Sequence, residues 1–256
     1  MSLSVEVREL TKVFGDLVAV DHATFSVKRG EIFGLLGPNG AGKSTLFRML
    51  CTVLRPTYGT AKVEGHDILK ETNEVRKVIG VVQEKLILYA PLTPIENLTF
   101  FGKLYGVEDD VLKRKIEELL QEAKLWEVRD KPVGIFSSGM RQRVNIIRAL
   151  LHDPKLLMLD EPTNTLDPQS VRWVRDYIKA LRDRGLTIIL TSHDMYEIDE
   201  LAEEVAIMDR GKIIAVGGKE ELKNKYSTDK FEEVFLALTG RTLRDELSGR
   251  LKRRGW

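Results

Sequence analysis

Residues 37–45 read Gly-Pro-Asn-Gly-Ala-Gly-Lys-Ser-Thr, and this segment limits the possible folds more tightly than any other feature of the chain. Gly37, Gly42, Lys43 and Ser44 supply the pattern of a phosphate-binding turn between a strand and a helix. Ile32–Leu36, just ahead, is an apolar run of strand length. Leu46, Phe47, Met49, Leu50, Val53 and Leu54, just behind, read as a helix packed on a sheet. Such a turn lets the main chain at Gly37, Pro38, Asn39, Gly40, Ala41, Gly42 and Thr45 close around a phosphate, each residue but Pro38 bringing an N–H group. Lys43 is then placed to reach terminal phosphates, and the Ser44 hydroxyl to ligate Mg²⁺. A chance glycine-rich turn is the alternative, and the flanking strand and helix weigh against it. The segment implies a site for a nucleoside triphosphate.

A chain of 256 residues suits one large α/β domain, or one domain with an inserted subdomain. The net charge of +1 gives no reason to expect a polyanion, and no nucleic-acid recognition pattern is present. Charged residues at 31%, with glutamine confined to Gln83, Gln121, Gln142 and Gln169, lean toward a heat-adapted source. The single Cys51 excludes an internal disulfide, suggests a reducing compartment, and reads as a core residue. The start lacks a basic stretch followed by an apolar one, and no run of ~20 apolar residues occurs. A soluble chain is expected, reaching a membrane only through a partner.

Residues 3–36 cluster in short apolar runs with turns at Gly15-Asp16 and Arg29-Gly30, and 60–63 and 78–82 are again strand-like, around a short polar helix over 71–76. From residue 84 the period changes. Thr93-Pro94-Ile95-Glu96 combines an N-cap, a first-turn proline and a capping box, and begins a helix that lasts until Gly106. A second helix starts near Asp109, and a third runs from Gly139 to about His152, stopped by Asp153-Pro154. Strand signals return at 155–160 and 186–191 around a helix with Val171, Val174, Ile178 and Leu181 inward, which is the grammar of a parallel sheet. Residues 205–216 read as a hairpin turning at Asp209-Arg210-Gly211, and a mixed-charge helical tail begins at Lys219.

Leu156–Glu161 is an apolar run closed by two acids, as at the carboxyl end of a buried parallel strand where ligands bind. Asp160 is placed to hold Mg²⁺ and Glu161 to polarise a water at the γ-phosphate; alone, the pair also suits a solvated loop. Shortly before it stands Phe136-Ser137-Ser138-Gly139-Met140-Arg141-Gln142-Arg143. An ordinary Ser N-cap on an amphipathic helix satisfies these residues equally. Their order and spacing relative to the other motifs resemble the nucleotide-binding domains of ATP-binding cassette (ABC) proteins, over residues 5 to about 218.

The resemblance implies roles for further residues. Ser137, Ser138 and Gly139 match the family's signature, which opens a helix aimed at a phosphate of a neighbouring subunit, as a helix N-terminus can be. Ser138 replaces a usual Gly and Met140 a usual Gln; a positive φ at 138 would strain serine. Phe14 matches the aromatic that stacks on adenine, Gln83 the glutamine that touches Mg²⁺ and borders the transporter-contacting surface, Asp167 the D-loop acid, and His193 the histidine at the γ-phosphate. Thr165 stands where the D-loop usually has Gly. Met140 and the tail Phe231–Arg241 are similar to a narrower group, the daunorubicin-resistance and ABC-2 type exporter ATPases.

The expected fold is α/β, with a mostly parallel P-loop NTPase core carrying an antiparallel β subdomain and an inserted α-helical subdomain. Residues 1–83 and 154–218 would form the core, 84–153 the insertion, and 219–256 a C-terminal tail. The resemblance implies ATP and Mg²⁺ as ligands, catalysis by Lys43, Glu161 and His193, and metal contacts from Ser44, Gln83 and Asp160. It also implies a head-to-tail dimer with a second copy or a homologous subunit. A separately encoded transmembrane permease would hold the subunit at the cytoplasmic face of the membrane. An importer motor and a non-transport ABC ATPase remain alternatives. The basic end, Arg250–Trp256, reads as a solvated tail, with an anionic membrane surface as its other reading.

Overall fold

The computed structural model describes residues 2–240. Two long strands, β1 (Leu3–Phe14) and β2 (Leu17–Lys28), form a hairpin that pairs antiparallel with β4 (Tyr58–Val63) and the short β5 (His66–Asp67). β3 (Ile32–Leu36) starts a separate sheet and leads through the glycine-rich turn into α1 (Lys43–Leu50). α2 (Thr72–Val78) then enters β6 (Ile79–Val82). The next elements are helical: α3 (Pro94–Leu104), α4 (Asp109–Glu122) and α5 (Ser138–Arg148), with single 3₁₀ turns at Trp126–Val128 and Val133–Ile135. β7 (Leu156–Asp160), α6 (Pro168–Asp183), β8 (Thr187–Ser192), α7 (Met195–Leu201), β9 (Glu204–Asp209), β10 (Lys212–Gly218), α8 (Lys219–Lys225) and α9 (Phe231–Thr239) complete the order.

The second sheet runs β10-β9-β3-β8-β7-β6, parallel throughout except for the β9–β10 hairpin at its edge. Alternation along its strands fills two cores, because successive side chains point to opposite faces. Leu157 and Leu159 of β7, with Ile188 and Leu190 of β8, pack under the helices. Leu156, Met158 and Ile189 face the antiparallel sheet, where Phe25 stacks on Phe33 at 5.1 Å. The strands are therefore apolar on both faces, and their carboxyl ends share one rim. That rim carries the glycine-rich turn after β3, Asp160 ending β7, Ser192 ending β8 and Gln83 just beyond β6.

Most of the expected elements are present, but α1 ends at Leu50, so Val53, expected in that helix against the sheet, is 61% exposed, and two further elements differ. Thr93 makes both arms of its capping box with Glu96, and the hairpin turns at Arg210 and Gly211, both with positive φ. The helix expected to reach His152 stops at Arg148: Ala149 and Leu150 donate to carbonyls three residues back, and the chain tightens before Asp153-Pro154. α7 lies in a segment where no element is expected. Its signals are an Asp194 N-cap, whose carboxylate accepts from Tyr196 N, and Ile198 and Leu201 at helical spacing. The described part of the tail, up to residue 240, carries α8 and α9, with Phe231, Val234 and Phe235 buried in the same core as Ile198 and Leu201. The basic end, Arg250–Trp256, lies outside the described residues.

Candidate nucleotide site

The turn from Gly37 to Gly42 keeps its shape through glycine at two points. A Cβ at Gly37 would run into the Met208 carbonyl, and Gly42, the N-cap of α1, has φ +106°, which L side chains rarely adopt. Lys43, 5% exposed, donates from Nζ to Gly37 O at 2.6 Å and sits 3.3 Å from Glu161 Oε1. The ammonium is thus fixed at the mouth of the turn by groups that a phosphate could replace.

Asp160, also buried, accepts from Thr191 Oγ1 at 2.6 Å and from Ser44 Oγ at 3.3 Å. Burial pushes its carboxyl above the ordinary value, against the two hydroxyl hydrogen bonds, and the charge of Glu161 adds to the rise. A cation beside it would reverse that penalty. One carboxylate and one hydroxyl suit Mg²⁺, which keeps waters and takes phosphate oxygens rather than an all-protein cage. Among the described residues no group of three or more His, Cys, Asp or Glu could hold a metal ion by itself. The donor set therefore fits a Mg²⁺ that arrives with a polyphosphate.

Glu161 has φ +50°, and its N–H donates to Thr191 Oγ1 at 3.1 Å. Its Oε2 meets His193 Nδ1 at 2.8 Å. Burial works to raise the Glu161 pKa, but the His193 hydrogen bond and the Lys43 charge outweigh it and hold the carboxylate below its ordinary range. His193 is raised by the same hydrogen bond, against partial burial. An ionised carboxylate, steered by an imidazole and open to the cavity, can orient and polarise a water.

Lys43, Ser44, Glu161 and His193 share a cavity of about 950 Å³ with Phe14, while Asp160 is off its lining and reaches it through the hydrogen bond from Ser44. Pro38, Asn39, Gly40, Gly42 and Thr45 also line it, while Gly37 and Ala41 stand behind as scaffold. Phe14, 47% exposed, has Lys12 Nζ 5.0 Å from its ring centroid. Several expected residues lie elsewhere. Gln83 is half-buried and off the lining; its neighbour Glu84 lines the cavity and accepts from Asn164 Nδ2 at 3.1 Å. Asp167 caps α6, accepting from Ser170 N at 2.9 Å. Ser137 caps α5, accepting from Met140 N at 3.2 Å, and neither it nor Ser138 or Gly139 lines the cavity. Ser138 opens α5 without a positive φ, so serine there is unstrained. Thr165 has φ +63°, the conformation that explains a usual glycine. Leu17, Val18, Asn164 and Arg210 line the cavity without having been anticipated: the first two come from β2 of the antiparallel sheet, Asn164 from the loop after β7 and Arg210 from the β9–β10 turn.

The ABC transporter family model matches residues 20–164. The linearmycin resistance ATP-binding protein LnrL of Bacillus subtilis is 40% identical over 225 residues, covering 88% of this chain and 72% of that protein. The daunorubicin/doxorubicin resistance ATP-binding protein DrrA of Streptomyces peucetius is 41% identical, covering 88% of this chain and 68% of that one. The chain spans 41% of the probable multidrug ABC transporter ATP-binding protein YbhF of Escherichia coli, at 39% identity over 91% of its own length. Among solved structures, an ATP-binding subunit of an ABC transporter superposes with a TM-score of 0.84 at 27% identity, over 93% of this chain and all of the other.

Proposed function

The chain belongs to the ABC transporter family of ATP-hydrolysing subunits, and we propose that it is the motor of an ABC-2 type exporter whose membrane subunit is a separate chain. The family binds ATP with Mg²⁺ and forms ADP and phosphate. The observation that carries the assignment of residues is the convergence of Lys43, Glu161 and His193 on one cavity, with Asp160 joined to it through Ser44.

Bound Mg²⁺ would supply charge neutralisation at the phosphates, held by Ser44 and Asp160. Lys43 exchanges its carbonyl partners for β- and γ-phosphate oxygens, while the main chain of 37–45 fixes the polyphosphate. Phe14 offers one ring face to adenine, the other being covered by Lys12. Glu161 orients the attacking water and draws its proton, and His193 holds that carboxylate in place and reaches the γ-phosphate. Ser137, Ser138 and Gly139 act on the site of a second copy arranged head to tail. That none of the three lines the cavity of its own chain supports that reading, as does the 11-residue helix they open. Closure of the pair then assembles each site, so hydrolysis and opening are linked.

Among the described residues no helix is long and apolar enough to cross a membrane. Attachment to the cytoplasmic face of the membrane through the permease is supported by exposed apolar side chains just after Gln83. Leu86, Ile87 and Tyr89 are 37%, 44% and 50% exposed, and Tyr89 packs at 5.2 Å against Phe100 of α3, itself 45% exposed. Export is favoured by the resistance and export functions named for the relatives, which include a bacitracin transport protein and a Nod factor export protein. Co-expression with a candidate transmembrane permease of the same source tests this. Recovery of the ATPase in membranes, lost with Ile87→Asp, supports the proposal; recovery unaffected by the presence of the membrane protein refutes it.

A further inference from the structure

Glu197 occupies the third position of α7, where a capping-box glutamate would reach back to the N–H of Asp194. It does not. Asp194 N donates instead to Ser192 Oγ at 3.0 Å, and the Glu197 carboxylate, 1% exposed, turns into the protein. Its Oε1 accepts from Thr163 Oγ1 at 2.7 Å and its Oε2 from Ser192 Oγ at 2.7 Å. Thr163 is two residues beyond Glu161, and Ser192 immediately precedes His193. Since Glu161 and His193 meet at 2.8 Å, the five side chains close a ring across two loops.

We infer that Glu197 is a positioning residue that locks the loop after β7 to the loop after β8 and thereby sets the Glu161–His193 geometry. The inference rests on the catalytic reading of Glu161 and His193. A buried carboxylate is costly, and an apolar side chain would fill the same volume with less penalty if packing were its only task. Its two hydroxyl donors instead make it a bridge of fixed length between segments that carry the two reacting side chains. Gln142 of α5 holds the same loop from the other side, donating Nε2 to Pro162 O at 2.8 Å, so the loop is fixed at adjacent residues by two helices. A displacement of about 1 Å at a catalytic group can cost on the order of 100-fold in rate while leaving ground-state binding intact.

The test is steady-state ATP hydrolysis by the purified full chain with Mg²⁺, together with nucleotide affinity and thermal melting. Glu197→Ala should lower kcat about 10- to 100-fold and leave KM for ATP within about threefold. Glu197→Gln keeps an acceptor for one hydroxyl and an amide facing the other, so it should recover kcat to within about threefold of the original. Thr163→Val removes one arm; it should lower kcat by itself but add little in the Glu197→Ala background, because both cut the same bridge. Should Glu197→Ala fail to fold, Thr163→Val decides alone: a fall in kcat at unchanged KM supports the inference, and an unchanged kcat overturns it. Folded Glu197→Ala with full kcat, while Glu161→Gln is inactive, also overturns it. If Glu161→Gln itself keeps its turnover, the reading beneath the inference fails instead.

Discussion

The N-termini of α5 and α6 touch through one residue without a side chain. A Cβ at Gly139 would overlap the Ser170 hydroxyl and lie 2.6 Å from Ser170 Cβ and 3.4 Å from Asp167 Oδ2. Ser170 cannot move away freely, because its N–H and Oγ both donate to the capping carboxylate of Asp167, at 2.9 and 2.6 Å. Gly139→Ala must therefore either push the helices apart or break the cap. Overpacking costs about 1–3 kcal/mol and loss of an Asp cap about 1 kcal/mol. The expected destabilisation is about 1–3 kcal/mol, a drop in Tm of roughly 2–12 °C for a chain of this size. Adding Ser170→Gly removes the obstructing atoms. The double variant should regain all but ~1 kcal/mol, the cost of glycine in a helix. Urea melts of the four chains in the cycle give the coupling directly. Additive losses, or Gly139→Ala melting like the original, would refute the packing argument. The same contact means that a carboxylate placed at 139 would disturb its own chain before it met any phosphate.

Three further outcomes are expected. Thr165→Gly should raise stability by about 0.5–1 kcal/mol in urea melts, because a β-branched residue at φ +63° is strained; no gain would show that the strain is absent. Phe14→Ala should weaken binding of a fluorescent ATP analogue about tenfold, in line with roughly 1–3 kcal/mol for a base stacked on an aromatic ring, and unchanged affinity would place adenine elsewhere. The His193–Glu161 contact should make stability depend on pH. His193 is raised from 6.5, so its share is complete below that value and is lost as pH rises through the folded pKa; Glu161 is lowered from 4.5, so its share is complete above that value and is lost as pH falls through its folded pKa. The stability difference between the original and His193→Gln should then be largest between about pH 4.5 and 6.5 and shrink as pH rises above that window. A difference that grows with pH would contradict it.

Where local chemistry alone decides, the sequence could be read almost directly. The glycine-rich turn, the Thr93 capping box and the Asp209-Arg210-Gly211 hairpin each need particular residue types at particular offsets. The doubly buried strands were visible as unbroken apolar runs. Most of what escaped depends on contacts distant along the chain. Arg148 ends α5 where its guanidinium donates to Val81 O at 2.7 Å, a partner that periodicity cannot supply. The short α7 escaped because seven residues carry too little periodicity to stand out, although Asp194 and the spacing of Ile198 and Leu201 signal it. Glu84 rather than Gln83 lines the cavity, a difference of one residue beyond the end of β6 where the strand period no longer applies. The need for glycine at 139 rather than 138 follows from Ser170, more than 30 residues away, and nothing in the motif itself announces it.

The central claim is that Lys43, Asp160, Glu161 and His193 form an ATP-hydrolysing site completed by a second chain. Glu161→Gln tests it most directly, because the amide keeps the side chain's shape and removes the charge that orients water. Size-exclusion chromatography of this variant with and without Mg²⁺ and ATP, run beside a phosphate-release assay, reads both halves of the claim. The account predicts a shift to the dimer only with ATP, with turnover reduced at least about 100-fold. A variant that hydrolyses ATP at the original rate, or that stays monomeric with ATP bound, would contradict it.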